Sequence, residues 1–157
     1  MSVVLYRIDD RLVHGQVMVA WSKIYQTNRI FVVDDETCKN PFLCDVMKMA
    51  MPSDYEVHIF NSADAVEKIK SDTSDKKTMV LAKSPATMLA LLEGGVEIKE
   101  LNVGNIGNGP GRRAVMRSIQ LTPAEFETLQ TMQQKGVRVF LQIFPDQKAM
   151  ELDKVKL

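Results

Sequence analysis

Two hydrophobic rhythms alternate along this chain. Short runs dense in β-branched and large apolar residues, at positions 2–8 (SVVLYRI), 29–33 (RIFVV), 55–60, 78–82, 101–103, 114–120 and 137–143 (VRVFLQI), have the length and composition of strands. Between them lie stretches whose apolar positions recur at helical spacing. Over 16–26, Val17, Ala20, Trp21, Ile24 and Tyr25 form one apolar stripe, with Ser22, Lys23 and Gln26 on the wet side. Further helices are expected over 41–50, over 63–70 behind a Ser62 cap, and from Pro85 behind a Ser84 cap to the Gly94-Gly95 pair. Thr122-Pro123-Ala124-Glu125 is a capping box that opens a helix closed by Gly136. The charged tail is expected to add a short helix. This alternation predicts an α/β fold: a single domain, 1–157, built on a doubly wound, mostly parallel sheet of about seven strands with helices on both faces.

Open α/β sheets place ligands at the carboxyl ends of their strands, so the first strand-to-helix loop is the place to look for chemistry. It reads Asp9-Asp10-Arg11-Leu12-Val13-His14-Gly15-Gln16. A neutral imidazole such as His14 is a nucleophile near pH 7. Arg11 offers a planar fork of donors matched to phosphate oxygens. Gly15 lets backbone N–H groups approach an anion, and the helix start at Gln16 adds free N–H groups and a positive dipole end. Asp9 or Asp10 can orient Arg11 or hold the imidazole tautomer. The alternative is a surface loop whose charges are merely solvated.

Composition narrows the classes. The 157 residues suit one core, and 45% hydrophobic with 25% charged side chains is ordinary for a globular chain. Twenty basic and 20 acidic residues cancel, which argues against a nucleic-acid partner. No apolar run is long enough to cross a bilayer, and the chain opens directly on a strand, so a cytoplasmic location is expected. The phosphate-loop pattern G-x-x-x-x-G-K-[ST] is absent, as is G-x-G-x-x-G after the first strand; no nucleotide, flavin or metal cofactor is expected. Cys38 and Cys44 read as free thiols rather than zinc ligands.

The segment Arg7-Ile8-Asp9-Asp10-Arg11-Leu12-Val13-His14-Gly15-Gln16-Val17 resembles the active-site loop of the IIB components of the mannose/fructose/sorbose family of bacterial phosphoenolpyruvate-dependent sugar phosphotransferase systems. The likeness continues through Trp21, Val32-Val33-Asp34-Asp35, Lys83-Ser84-Pro85, Glu93-Gly94-Gly95-Val96 and Leu101-Asn102-Val103-Gly104-Asn105. The resemblance implies a doubly wound α/β fold and a phosphohistidine intermediate on Nδ1 of His14. It implies that a IIA phosphohistidine charges this site and that the phosphoryl group passes to a hexose-type sugar held by membrane IIC and IID components. The chain would then sit at the inner face of the membrane through those partners. A module whose phosphorylation is only sensed by a regulator is the alternative.

Other positions are less specific. Asp35, at the end of the second strand, either orients Arg11 or serves as a helix-start charge, and Ser84 can cap its helix and also face a phosphate. His58 alternates with Glu56 on a solvated strand face. The glycine-rich basic stretch 107–113 reads as a mobile turn, with a second phosphate-facing loop or a docking surface for partners as the alternatives, and no role is carried onto it.

Overall fold

The computed structural model describes all 157 residues, Met1–Leu157. The chain runs β1 (Ser2–Asp9), α1 (Gly15–Tyr25), β2 (Arg29–Val33), α2 (Pro41–Met49), β3 (Glu56–Phe60), α3 (Ser62–Ser71), β4 (Lys77–Ala82), α4 (Pro85–Glu93), β5 (Glu100–Asn105), β6 (Arg113–Met116), β7 (Ile119–Leu121), α5 (Pro123–Gln134), β8 (Arg138–Leu141) and β9 (Met150–Glu151). Seven strands form one sheet in the order β3-β2-β4-β1-β5-β8-β9, parallel throughout except for β9. The central strands β2 and β4 are almost continuous apolar runs because both of their faces are covered.

Alternate residues of the strands feed two cores. Leu5, Ile30, Val32, Met79 and Leu81 pack under α1 with Val17, Met18 and Trp21. Tyr6, Ile8, Phe31, Val33, Val80 and Ala82 face the other way, against Ala65 of α3, Met88 and Leu91 of α4, and Leu129 and Met132 of α5. The chain therefore leaves β1 over one face of the sheet and β4 over the other, and the crevice between neighbouring β1 and β4 is the switch point of the fold.

Four expectations change. Asn61, not Ser62, caps α3, its side-chain oxygen accepting from Asp64 N–H at 2.7 Å, and Ser62 is the first helical residue. Residues 114–120 are not a strand of the main sheet but the antiparallel hairpin β6–β7. Ser118 there has φ +65°, a turn conformation that no continuous strand of L-residues accommodates. The seventh strand comes instead from the tail: β9 pairs with β8, and only a 3-10 turn at Leu152–Lys154 remains of the expected helix, with Leu152 and Val155 buried. In α1 the inward face is rotated from the predicted stripe. Ser22 is buried, its hydroxyl donating to the Val19 carbonyl at 2.9 Å and meeting the Tyr55 hydroxyl, while Ile24 is 62% exposed. Two stripes one position apart fit the same helical spacing, and a serine whose hydroxyl is satisfied inside the helix can turn inward.

The capping box at α5 forms in full. The Thr122 hydroxyl accepts from Glu125 N–H at 3.0 Å, and the Glu125 carboxylate accepts from Thr122 N–H at 2.9 Å. Replacing Thr122 by Ala should lower the unfolding free energy by about 1 kcal/mol in urea titration without changing the slope.

Candidate functional site

The β1–α1 loop begins as a tight turn, with Leu12 N–H bonded to the Asp9 carbonyl at 2.9 Å. Leu12 has φ +57°, an unfavourable conformation for a leucine. Burial of Leu12 and its neighbour Val13 in the core beneath α1 offsets that strain. With these two side chains anchored inward, the next residue projects outward: His14 is exposed, and no protein group hydrogen-bonds its ring.

His14 is also the N-cap residue of α1, in an extended conformation at φ −115° and ψ 106°. The other four α-helices have capping side chains: Asn40, Asn61, Ser84 and Thr122 each accept from a first-turn N–H. In α1 there is no cap and no first-turn acid, so its leading N–H groups and positive dipole end stay open beside the imidazole.

Arg11 is fixed by Asp9. Its Nε donates to Asp9 Oδ1 at 3.0 Å, its Nη2 to Oδ2 at 2.9 Å, and its backbone N–H to Oδ1 at 3.0 Å. The Asp9 hydrogen bond pushes the Arg11 guanidinium above its usual value. The fork spends its inner edge on Asp9, and Nη1 takes no protein partner on the partly exposed outer edge.

Asp10 points elsewhere. Its carboxylate accepts from Asn105 Nδ2 at 2.8 Å and from Gly107 N–H at 2.7 Å, tying the β1–α1 loop to the end of β5 and the segment after it. Arg112 then donates to the Gly107 carbonyl and, through Nε and Nη2, to the Glu125 carboxylate, so the glycine-rich stretch is held at both ends. Gly15 faces the end of α2: a Cβ there would stand 2.7 Å from the Ala50 carbonyl oxygen, so a side chain is excluded by packing. Gln16 is exposed in the first turn of α1, and with Gly15, Met49 and Ala50 it lines a shallow hollow. Asp35 accepts from the backbone N–H and hydroxyl of Ser62 at 2.8 and 3.1 Å, while Ser84 caps α4 through Thr87 N–H. Neither hydrogen-bonds Arg11 or His14. His58 is half-exposed beside Glu56 on β3.

Beneath the loop lies a residue that sequence reasoning left without a role. Arg7 is fully buried in mid-strand. Its Nη1 donates to Asn102 Oδ1 at 2.6 Å and to the Gln142 carbonyl at 3.1 Å, and its Nη2 to the Ile143 carbonyl at 3.1 Å and to Asp9 Oδ2 at 3.3 Å. The Arg7 guanidinium carbon stands 5.3 Å from the centre of the Trp21 ring. Burial pulls the group down to about 10, partly countered by Asp9, and it stays charged at neutral pH. Gly104 makes the space: a Cβ there would lie 2.0 Å from the Arg7 guanidinium carbon. The pairing of β1 with β5 slips by one residue at this point.

Comparison with known proteins fits this geometry. Residues 3–156 match the family model of the PTS system sorbose subfamily IIB component. The chain belongs to that family. It is 29% identical over 154 residues to the N-acetylgalactosamine-specific phosphotransferase enzyme IIB component 2 of Escherichia coli K12, covering 98% of each chain. The crystal structure of the IIBSor domain of the sorbose permease from Klebsiella pneumoniae superposes with a TM-score of 0.91 at 27% identity, over 98% of this chain and 96% of that one. The mannose-specific EIIAB component of E. coli K12 is 28% identical over 140 residues, which make up 43% of its length.

IIB components of this system are phosphotransferases in sugar uptake, and this IIB chain has the fold of its relatives. None of its helices is long and apolar enough to cross a membrane. A hollow of about 750 Å³ lies at the opposite end of the sheet from His14, between the start of β1, Tyr25, Gly95 and Phe140. Chemistry at an exposed histidine needs no deep cavity of its own. Introducing a methyl group at Gly104 of this IIB chain (Gly104→Ala) should displace the Arg7 guanidinium and cost about 1–3 kcal/mol of stability, measured by denaturant unfolding.

Proposed function

We propose that Nδ1 of His14 accepts a phosphoryl group from the phosphohistidine of a IIA protein and passes it to a hexose-type sugar held by membrane IIC and IID components. The carrying observation is that His14 caps the one α-helix with no capping side chain. Histidine Nδ1 lies the same number of bonds from Cα as asparagine Oδ1, the atom with which Asn40 caps α2. Nδ1 can therefore turn toward the cap position, and a phosphoryl group on it extends one bond further, with its oxygens facing the open N–H groups of α1.

In the first transfer the Nδ1 lone pair attacks phosphorus. The new N–P bond forms as the donor's N–P bond breaks, and the donor imidazole keeps that electron pair. Arg11, with Nη1 free, and the α1 N–H groups neutralise charge on the three non-bridging oxygens. In the second transfer a sugar hydroxyl oxygen attacks phosphorus, the N–P pair returns to His14, and the hydroxyl proton is released to water. Between transfers the chain works in the cytoplasm, against the membrane face that carries its partners. The E. coli mannose-specific relative, named EIIAB, supports a IIA partner. Gly15 and Gln16 supply backbone N–H groups to the pocket. Asp10 keeps the loop in place from its far side, and Asp35 and Ser84 frame the neighbouring strand ends.

Incubated with phosphorylated IIA protein, the chain should take up one acid-labile phosphoryl group. His14→Ala should take up none while keeping its circular dichroism spectrum; uptake by that variant would refute the proposal. Arg11→Gln should slow transfer about 10²-fold.

A further inference from the structure

We propose that Arg7 and Asp9 are positioning residues for this reaction: together with Arg11 they form a three-membered ion cluster that keeps one positive charge uncancelled at the phosphoryl site. The inference rests on the function assigned to His14 and adds to it the origin of the charge that faces the phosphate.

A lone Asp9–Arg11 pair would be electrically neutral. The carboxylate would hold Arg11 in place and at the same time cancel most of its pull on a phosphoryl dianion. Arg7 removes that conflict. Asp9 is fully buried and accepts four donors, three from Arg11 and one from Arg7 at 3.3 Å. One carboxylate shared by two guanidinium groups leaves a net charge of +1. The Arg7 charge cannot move to meet the phosphate, because Asn102, two carbonyl groups, Trp21 and the Gly104 backbone enclose it. Arg11, in contrast, has a partly exposed side chain and an open Nη1. The buried arginine balances the carboxylate, so the exposed one acts on the substrate with its charge intact. A buried cation acts here through a low-dielectric interior, where its field is screened less than a surface lysine's.

The test uses the full chain, charged by phosphorylated IIA protein in single-turnover experiments over a range of donor concentrations. Arg7→Met keeps the approximate volume and removes the charge. Its saturating transfer rate should fall between tenfold and a hundredfold, with the half-saturating donor concentration changed less than twofold. Arg7→Lys should recover most of the rate. A folded Arg7→Met variant with the wild-type saturating rate would overturn the proposal, as would equal losses in the Met and Lys variants, which would mark a packing defect. Should neither variant fold, the wild-type protein still decides. Held on the shared Asp9 carboxylate, both the Arg11 Nε–H and the Arg7 Nη2 protons should give resonances that exchange slowly with water, and free exchange of either would sink the idea. Failure of the wild-type chain to accept phosphate at His14 would instead count against the function assigned above.

Discussion

The carboxylate of Asp9 has no access to water, and the geometry of the active loop depends on how that charge is satisfied. A buried carboxylate is tolerated only when its lone pairs are filled and its charge is matched. Here two guanidinium groups and a backbone N–H do both. The same bonds set the direction of Arg11, close the turn that carries Leu12 and Val13 into the core, and so aim His14 outward. On the inner side Arg7 links β1 to Asn102 of β5 and to the carbonyl groups that follow β8. Trp21 joins the same assembly, its indole N–H donating to the Ile143 carbonyl at 3.3 Å. The site is thus continuous with the centre of the sheet.

Much of this was legible in the sequence because the governing forces are local. Hydrophobic alternation located β1 to β5 and β8, and cap chemistry located the starts of α4 and α5. The loop itself stood out by its density of charged and nucleophilic groups. What stayed hidden depends on contacts distant along the chain. No spacing rule tells that Asp9 faces Arg11 while Asp10 reaches Asn105, ninety-five positions away. That difference follows from strand alternation, which turns Asp9 inward with Arg7 and leaves Asp10 at the rim. Arg7 did leave a trace: a charge between Tyr6 and Ile8, in a strand flanked on both sides by others, must find buried partners. Gly104 is its complement, but the match can be seen only when β1 and β5 lie side by side. The tail was misjudged for a similar reason, since Met150 and Glu151 become a strand only because β8 offers a free edge.

The bare start of α1 departs from local optimisation. Every other α-helix begins with a residue that satisfies a first-turn N–H, an arrangement worth about 1 kcal/mol. At α1 the cap position holds an imidazole with no such bond, and packing of Val17, Met18 and Trp21 stabilises the helix in its place. The open donors cost stability in the resting protein, and in the proposed reaction they meet the phosphoryl oxygens.

His14 lies on an open surface, and in the proposed reaction both its donor and its acceptor must reach it through the same patch. The two encounters therefore exclude one another in time, and a partner that lingered would halt the cycle. With association at about 10⁷ M⁻¹s⁻¹ and turnover of about 10 s⁻¹, a complex with Kd below about 1 μM would outlast the turnover it serves. An exposed nucleophile shared in this way calls for brief contacts, with specificity resting on the fit of the two surfaces during transfer and not on tight binding.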